Sequence, residues 1–123
     1  MRPLARSLSS EEDVATIAAI VASQPTNKPI ATIHGDANAG KEKFTVCVAC
    51  HGAEVAGNEA LNAPPLKVQN DWYLVTQLRN FKDKVRGGDA QKDPNGAVMG
   101  GMAATLADEQ SIRDVVAYIN SVR

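Results

Sequence analysis

Apolar positions along this chain recur at helical spacing in four stretches, and nowhere do they alternate as a strand would. Val14, Ile17, Ala18 and Val21 share one face of a segment spanning 10–22. Phe44, Cys47, Val48 and His51 form a second stripe, on a helix that Asp36 or Asn38 can cap and that runs through Gly40. Leu74, Leu78, Phe81 and Val85 form a third. That helix starts near Asn70 or Asp71, and Gly87-Gly88 is expected to end it. Ile112, Val115, Val116, Ile119 and Val122 form the last stripe, after Leu106-Ala107-Asp108. Residues 52–70 and 87–101 are rich in Gly, Pro and Asn and read as loops. The pattern predicts an all-α chain.

One short motif changes this picture. The only cysteines are Cys47 and Cys50, and His51 follows directly, giving Cys47-Val48-Ala49-Cys50-His51. C-x-x-C-H is the attachment motif for c-type haem. Two thiols three positions apart lie on the same side of a helix end and can add to the two vinyl groups of one haem. The adjacent imidazole can then bind the iron from the same turn, as metal ligand His51. A structural zinc site needs further ligands, and only His34 remains, read as a surface-loop residue. A thioredoxin-like pair needs a βαβ setting, which the pattern lacks.

Composition adds bounds. The chain has 123 residues, 44% hydrophobic and 22% charged, the balance of a soluble domain of ordinary size. Its formal net charge of −1 gives no sign of a nucleic-acid partner. Within 67–92, however, Lys67, Arg79, Lys82, Lys84, Arg86 and Lys92 face only Asp71, Asp83 and Asp89, a local +3. This is a solvated helix face or a basic surface for an acidic partner. No apolar run is long enough to cross a membrane. The basic start and the apolar run at 14–22 resemble parts of a secretory leader. Glu11, Glu12 and Asp13 stand between them, and we expect no leader here.

Over residues 36–123 the chain resembles the class I cytochromes c. The resemblance rests on Gly40-Lys41-Glu42-Lys43-Phe44, the C-x-x-C-H-Gly52 run, Pro64-Pro65-Leu66, Trp72-Tyr73-Leu74, and the stretch from Met99 to Ile119. It implies three to four helices around one covalently bound haem c. The first and last helices cross beside the haem, where Gly40 and Phe44 meet Tyr118. It implies a single-electron carrier rather than an enzyme, with His/Met axial ligation. The alternative is the haem domain of a larger redox assembly, a two-haem cytochrome or an oxidase subunit. Met99 and Met102 are the candidates for the sixth ligand, and the resemblance favours Met99, in a loop shortly before the last helix. A peroxidase-like enzyme would need an open iron site, against which two such methionines argue. The resemblance also points to Pro64, over Pro65, as the carbonyl acceptor for the Nδ1 proton of His51. Trp72 is a cofactor-binding candidate, donating its indole N–H to a haem propionate, or else a core residue. Redox protein partners and a periplasmic location, or the outer face of the cytoplasmic membrane within a complex, are implied in the same way.

The first 35 residues form an N-terminal extension: a helix plus the linker Gln24-Pro25-Thr26-Asn27-Lys28-Pro29. Residues 1–23 repeat the chain's end at a constant offset of 98. Met1 falls on Met99, Leu4 on Met102, Leu8 on Leu106, Glu11 on Glu109, Val14 on Ile112, Ile17 on Val115 and Val21 on Ile119. Self-similarity at fixed offset is the mark of a duplicated unit. The extension therefore reads as the tail of a preceding cytochrome domain, making 36–123 the C-terminal half of a two-haem protein. Its helix is expected to dock by the Val14, Ile17, Ala18 and Val21 face, on 36–123 or on a second copy as a homodimer.

Overall fold

The computed structural model describes residues 4, 6–26 and 28–123, to which every structural statement below refers. It is all-helical, with helices α1 (Glu11–Ala22), α2 (Ala37–Phe44), α3 (Val48–His51), α4 (Asp71–Lys82), α5 (Pro94–Ala103) and α6 (Glu109–Val122). A single 3-10 turn covers Glu59–Leu61. Among the described residues the only β pairing is an isolated bridge between Asn58 and Ala63.

The core forms where α2 crosses α6. Gly40 makes this crossing close: a Cβ there would lie 1.9 Å from the Asp114 carbonyl oxygen and 3.0 Å from the Tyr118 Cβ. One turn on, the Phe44 ring tilts against Tyr118 with centroids 5.3 Å apart. Phe44, Ile112, Val115, Val116 and Ile119 are buried together with Leu74 and Val75 of α4, and with Val55 and Leu106 from the connections. Asp114 is buried at the same crossing. It accepts from the Asp36 amide at 2.9 Å, from Lys43 Nζ at 2.9 Å and from Gln110 at 2.8 Å. Burial opposes its charge, but these donors prevail and hold its carboxyl below the usual carboxylate range.

A second buried carboxylate ties the chain before α2 to the domain. Asp71, fully buried at the start of α4, accepts from the Thr32 amide and from the Thr32 hydroxyl at 2.8 Å. It also accepts from the Ile33 amide at 2.7 Å, its neighbour Trp72 N–H at 2.7 Å and the Asn120 amide at 3.2 Å. Desolvation again works against the charge. The Thr32 and Ile33 donors, with Asn120, outweigh it and hold the carboxyl well below its ordinary value. Residues 32–35 are therefore a strap on the haem domain rather than free linker. Ile33 packs on the core, and a Cβ on Gly35 would lie 2.6 Å from the Arg113 carbonyl oxygen.

The structure differs from the sequence reading in four places. The haem helix is not continuous: α2 ends at Phe44, and a turn at Thr45–Cys47 leads into the short α3. Helix α4 stops at Lys82, five residues before Gly87, because Lys84 takes the left-handed conformation (φ 58°) that glycine usually supplies. Val85 consequently lies outside the helix and is exposed, and Val75 takes the core position. The segment 87–101 is not all loop: α5 carries both Met99 and Met102. Finally, α1 forms as expected but buries none of its residues, so its apolar face lies open to solvent in the single chain. Met1, at the start of the repeat, lies outside the described residues.

Candidate functional site

The C-x-x-C-H residues stand on α3 and the turn before it. The Cys47 amide bonds the Phe44 carbonyl at 2.8 Å, and the His51 amide bonds the Cys47 carbonyl at 2.9 Å. Gly52 then ends the turn at φ 76°, with its α-carbon facing open space. Both thiols are half-buried and not joined to each other. Burial pushes the Cys47 thiol up, and the neighbouring Cys50 adds to the shift. The described residues hold no cluster of three or more His, Cys, Asp or Glu side chains arranged around one ion.

His51 is only 4% exposed. Its Nδ1 lies 3.0 Å from the carbonyl oxygen of Pro64, which fixes the ring plane and leaves Nε2 to face away from that bond. The loop that delivers Pro64 is built from strained turns. Val55, fully buried, sits at φ 50°, unusual for a β-branched residue. Its carbonyl accepts from the Leu66 amide at 2.8 Å. Gly57, at φ 81°, donates to the His51 carbonyl at 2.9 Å. A Cβ on Gly57 would come within 2.6 Å of the Ala63 carbonyl oxygen and the Pro65 nitrogen. Gly57 and Val55 thus set the Pro64 carbonyl against His51. Sequence reading missed both, and the only signal was Gly57-Asn58 as a turn dipeptide.

Met99 and Met102 sit on α5, one turn apart. Met99 is half-buried and Met102 is 38% exposed. Asp93 caps this helix, accepting from the Gly96 amide at 2.8 Å, and Pro94 occupies its first turn. Trp72 is 57% exposed, edge-on to Tyr73 at 6.0 Å, so it is not a core residue. His34 is exposed on the strap.

These features suit a haem. Two unpaired thiols flank one end of a short helix. A buried imidazole has one nitrogen committed to a carbonyl. The domain also leaves Val46, Val48, Leu61, Val98 and Met102 exposed, apolar surface that a bound planar group could cover.

Fold and motif together define a class I c-type cytochrome. Residues 37–123 match the Cytochrome c family, and the chain belongs to it. Among its relatives is cytochrome c-554(548) of Halomonas halodenitrificans, 39% identical over 87 residues that cover 71% of this chain and 96% of that protein. Cytochrome c4 of Stutzerimonas stutzeri is 38% identical over 92 residues, 71% of this chain but only 41% of that protein. A thiosulfate dehydrogenase electron acceptor of Thiomonas intermedia is 44% identical over 64 residues, covering 52% of this chain and 26% of that protein. The chain thus matches one relative almost end to end and spans about two fifths of the cytochrome c4 protein. It is a haem-based electron carrier holding one covalent haem c. None of its described helices is long and apolar enough to cross a membrane.

Proposed function

We propose that Cys47 and Cys50 carry the haem by thioether bonds and that the iron is held between His51 Nε2 and Met99 Sδ. The observation that carries this reading is the 3.0 Å bond from His51 Nδ1 to the Pro64 carbonyl. A histidine so held is oriented as a ligand, with Nδ1 committed to the carbonyl and Nε2 left for the iron. The group supplies a one-electron ferric/ferrous couple when bound. The chain's own residues set its properties. The soft thioether of Met99 favours the reduced iron, and His51 itself lies buried away from water. Trp72, exposed with its indole N–H making no bond among the described residues, is available to a haem propionate.

Its partners are redox proteins, and an acidic partner meets the basic surface at 67–92. Part of that charge is already engaged. Arg79 pairs with Glu109, Lys92 with Asp89, and Arg86 lies over the Phe81 ring at 4.5 Å. Lys67, Lys82, Lys84 and Arg86 make no ion pair among the described residues and are the cations left for steering. A periplasmic carrier fits these features. Intact mass and acid extraction test the attachment. The mass should exceed the polypeptide by one haem, and acidified organic solvent should leave it bound. Free extraction would overturn the reading.

A further inference from the structure

The helix that carries Met99 is held mainly by one neighbour. α5 packs on α4, and the connections at its two ends add further contacts. At its start, Gly87 (φ 67°) lies so close that a Cβ there would fall 2.0 Å from the Gly96 carbonyl oxygen. Midway, the Gly100 Cα side faces the Phe81 carbonyl, with 3.5 Å left for a Cβ. At its end the contact is polar and is made by a single side chain. Lys82, half-buried in the last turn of α4, donates from Nζ to the Leu106 carbonyl and, at 3.0 Å, to the Ala107 carbonyl. These two carbonyls belong to the α5–α6 connection, three and four residues after Ala103, and lead directly into the Asp108 cap of α6.

The geometry points to Lys82 as the positioning residue for the Met99 ligand: its ammonium clamps the α5–α6 turn and so holds the methionine helix against α4. This inference rests on Met99 being the sixth ligand. Bonds from a charged donor to carbonyls in a half-buried site are among the stronger polar contacts. Leu106 fixes the same turn from the apolar side, and no ion pair competes for Lys82. Without Nζ the turn keeps its hydrophobic anchor but loses its polar one. α5 can then swing away from the iron more readily while the rest of the domain stays folded.

Imidazole, added to the ferric protein, displaces a weakly held thioether and reports how easily α5 opens. The experiment follows the loss of the far-red thioether-to-ferric-iron absorption band during an imidazole titration. It compares the parent with Lys82→Met, Lys82→Arg and Gly40→Ala. Lys82→Met keeps the aliphatic stem and should bind imidazole about tenfold more tightly, the equivalent of about 1.4 kcal/mol. Lys82→Arg keeps a cationic donor and should stay close to the parent. Gly40→Ala weakens the distant α2–α6 crossing and should leave imidazole affinity nearly unchanged. An unchanged affinity in Lys82→Met, with the band present, overturns the clamp and leaves the ligand assignment standing. An equal increase in Gly40→Ala means that general loosening, not the clamp, is responsible, and also overturns it. Absence of the band from the parent protein defeats the Met99 assignment and the clamp with it.

Discussion

Asp71 shows how a single residue can hold three parts of the molecule at once. Its carboxylate joins the strap at Thr32 and Ile33, the first turn of α4 and Asn120 of α6. Asp71→Ala leaves those part-buried donors without their acceptor and should cost about 2 to 3 kcal/mol in denaturant unfolding. The pH dependence has a definite sign. The folded carboxyl titrates well below its unfolded value of about 4. Its contribution is therefore complete above pH 4 or so and drains away as the pH falls towards the folded value. Acid titration of stability should be flatter in Asp71→Asn than in the parent below about pH 4; parallel curves would show that the carboxylate is not the latch. Gly40 is the other decisive position. With the Asp114 carbonyl 1.9 Å from where its Cβ would stand, Gly40→Ala must push α2 off α6. A loss of about 2 kcal/mol is expected in the same assay.

At the scale of the elements, α1 and the strap make different predictions although they are adjacent. α1 buries no residue, whereas Thr32, Ile33 and Gly35 are engaged with α4 and α6. Removing residues 1–26 should leave the haem domain's unfolding midpoint unchanged, and removing 1–35 should lower it clearly. If α1 pairs copies of the chain, the shorter deletion should also lower the sedimentation mass. Equal midpoints for the two deletions would remove the strap from the account. The elements also show what the sequence could reveal. α1, α4 and α6 were legible because each carries an apolar stripe at helical spacing. α5 was not, since Gly96, Gly100 and Gly101 interrupt any stripe and weaken the local preference for helix. Its start was nonetheless written in Asp93-Pro94, a capping residue followed by proline. The end of α4 was misread because Lys84 adopts the left-handed cap, leaving Gly87 free for the close contact with α5. In the site, the C-x-x-C-H run was readable from spacing alone. The Pro64 bond came from resemblance, and the parts of Val55 and Gly57 needed three dimensions, because they depend on backbone conformation rather than on residue type.

Across the whole molecule, the repeat at offset 98 reaches into local geometry. Ser7 Oγ bonds the Leu4 carbonyl at 2.6 Å, and its counterpart Thr105 bonds the Met102 carbonyl at 2.7 Å. Ser23 Oγ bonds the Ile20 carbonyl at 2.8 Å, and its counterpart Ser121 bonds the Tyr118 carbonyl at 2.7 Å. α1 and α6 start at corresponding residues, capped by Ser10 and Asp108. These parallels support the proposal that the extension descends from a duplicated haem unit. On that proposal, α1 shows solvent the face that its counterpart α6 buries. Electron exchange is likewise a property of the whole surface. With an acidic redox partner, rates should fall as salt rises, and more shallowly after Lys67→Gln and Lys84→Gln. Lys82 is left in place in that test because replacing it would also release the α5–α6 turn its ammonium holds. A salt-independent rate would remove the steering surface.

The central claim is that the iron sits between His51 and Met99, and the far-red spectrum of the ferric protein tests it most directly. Recorded for the parent, Met99→Ala and Met102→Ala, the thioether band should be present in the first, lost in the second and retained in the third. The potential of Met99→Ala should fall as the soft ligand goes. A band that survives in Met99→Ala and vanishes in Met102→Ala would contradict the assignment.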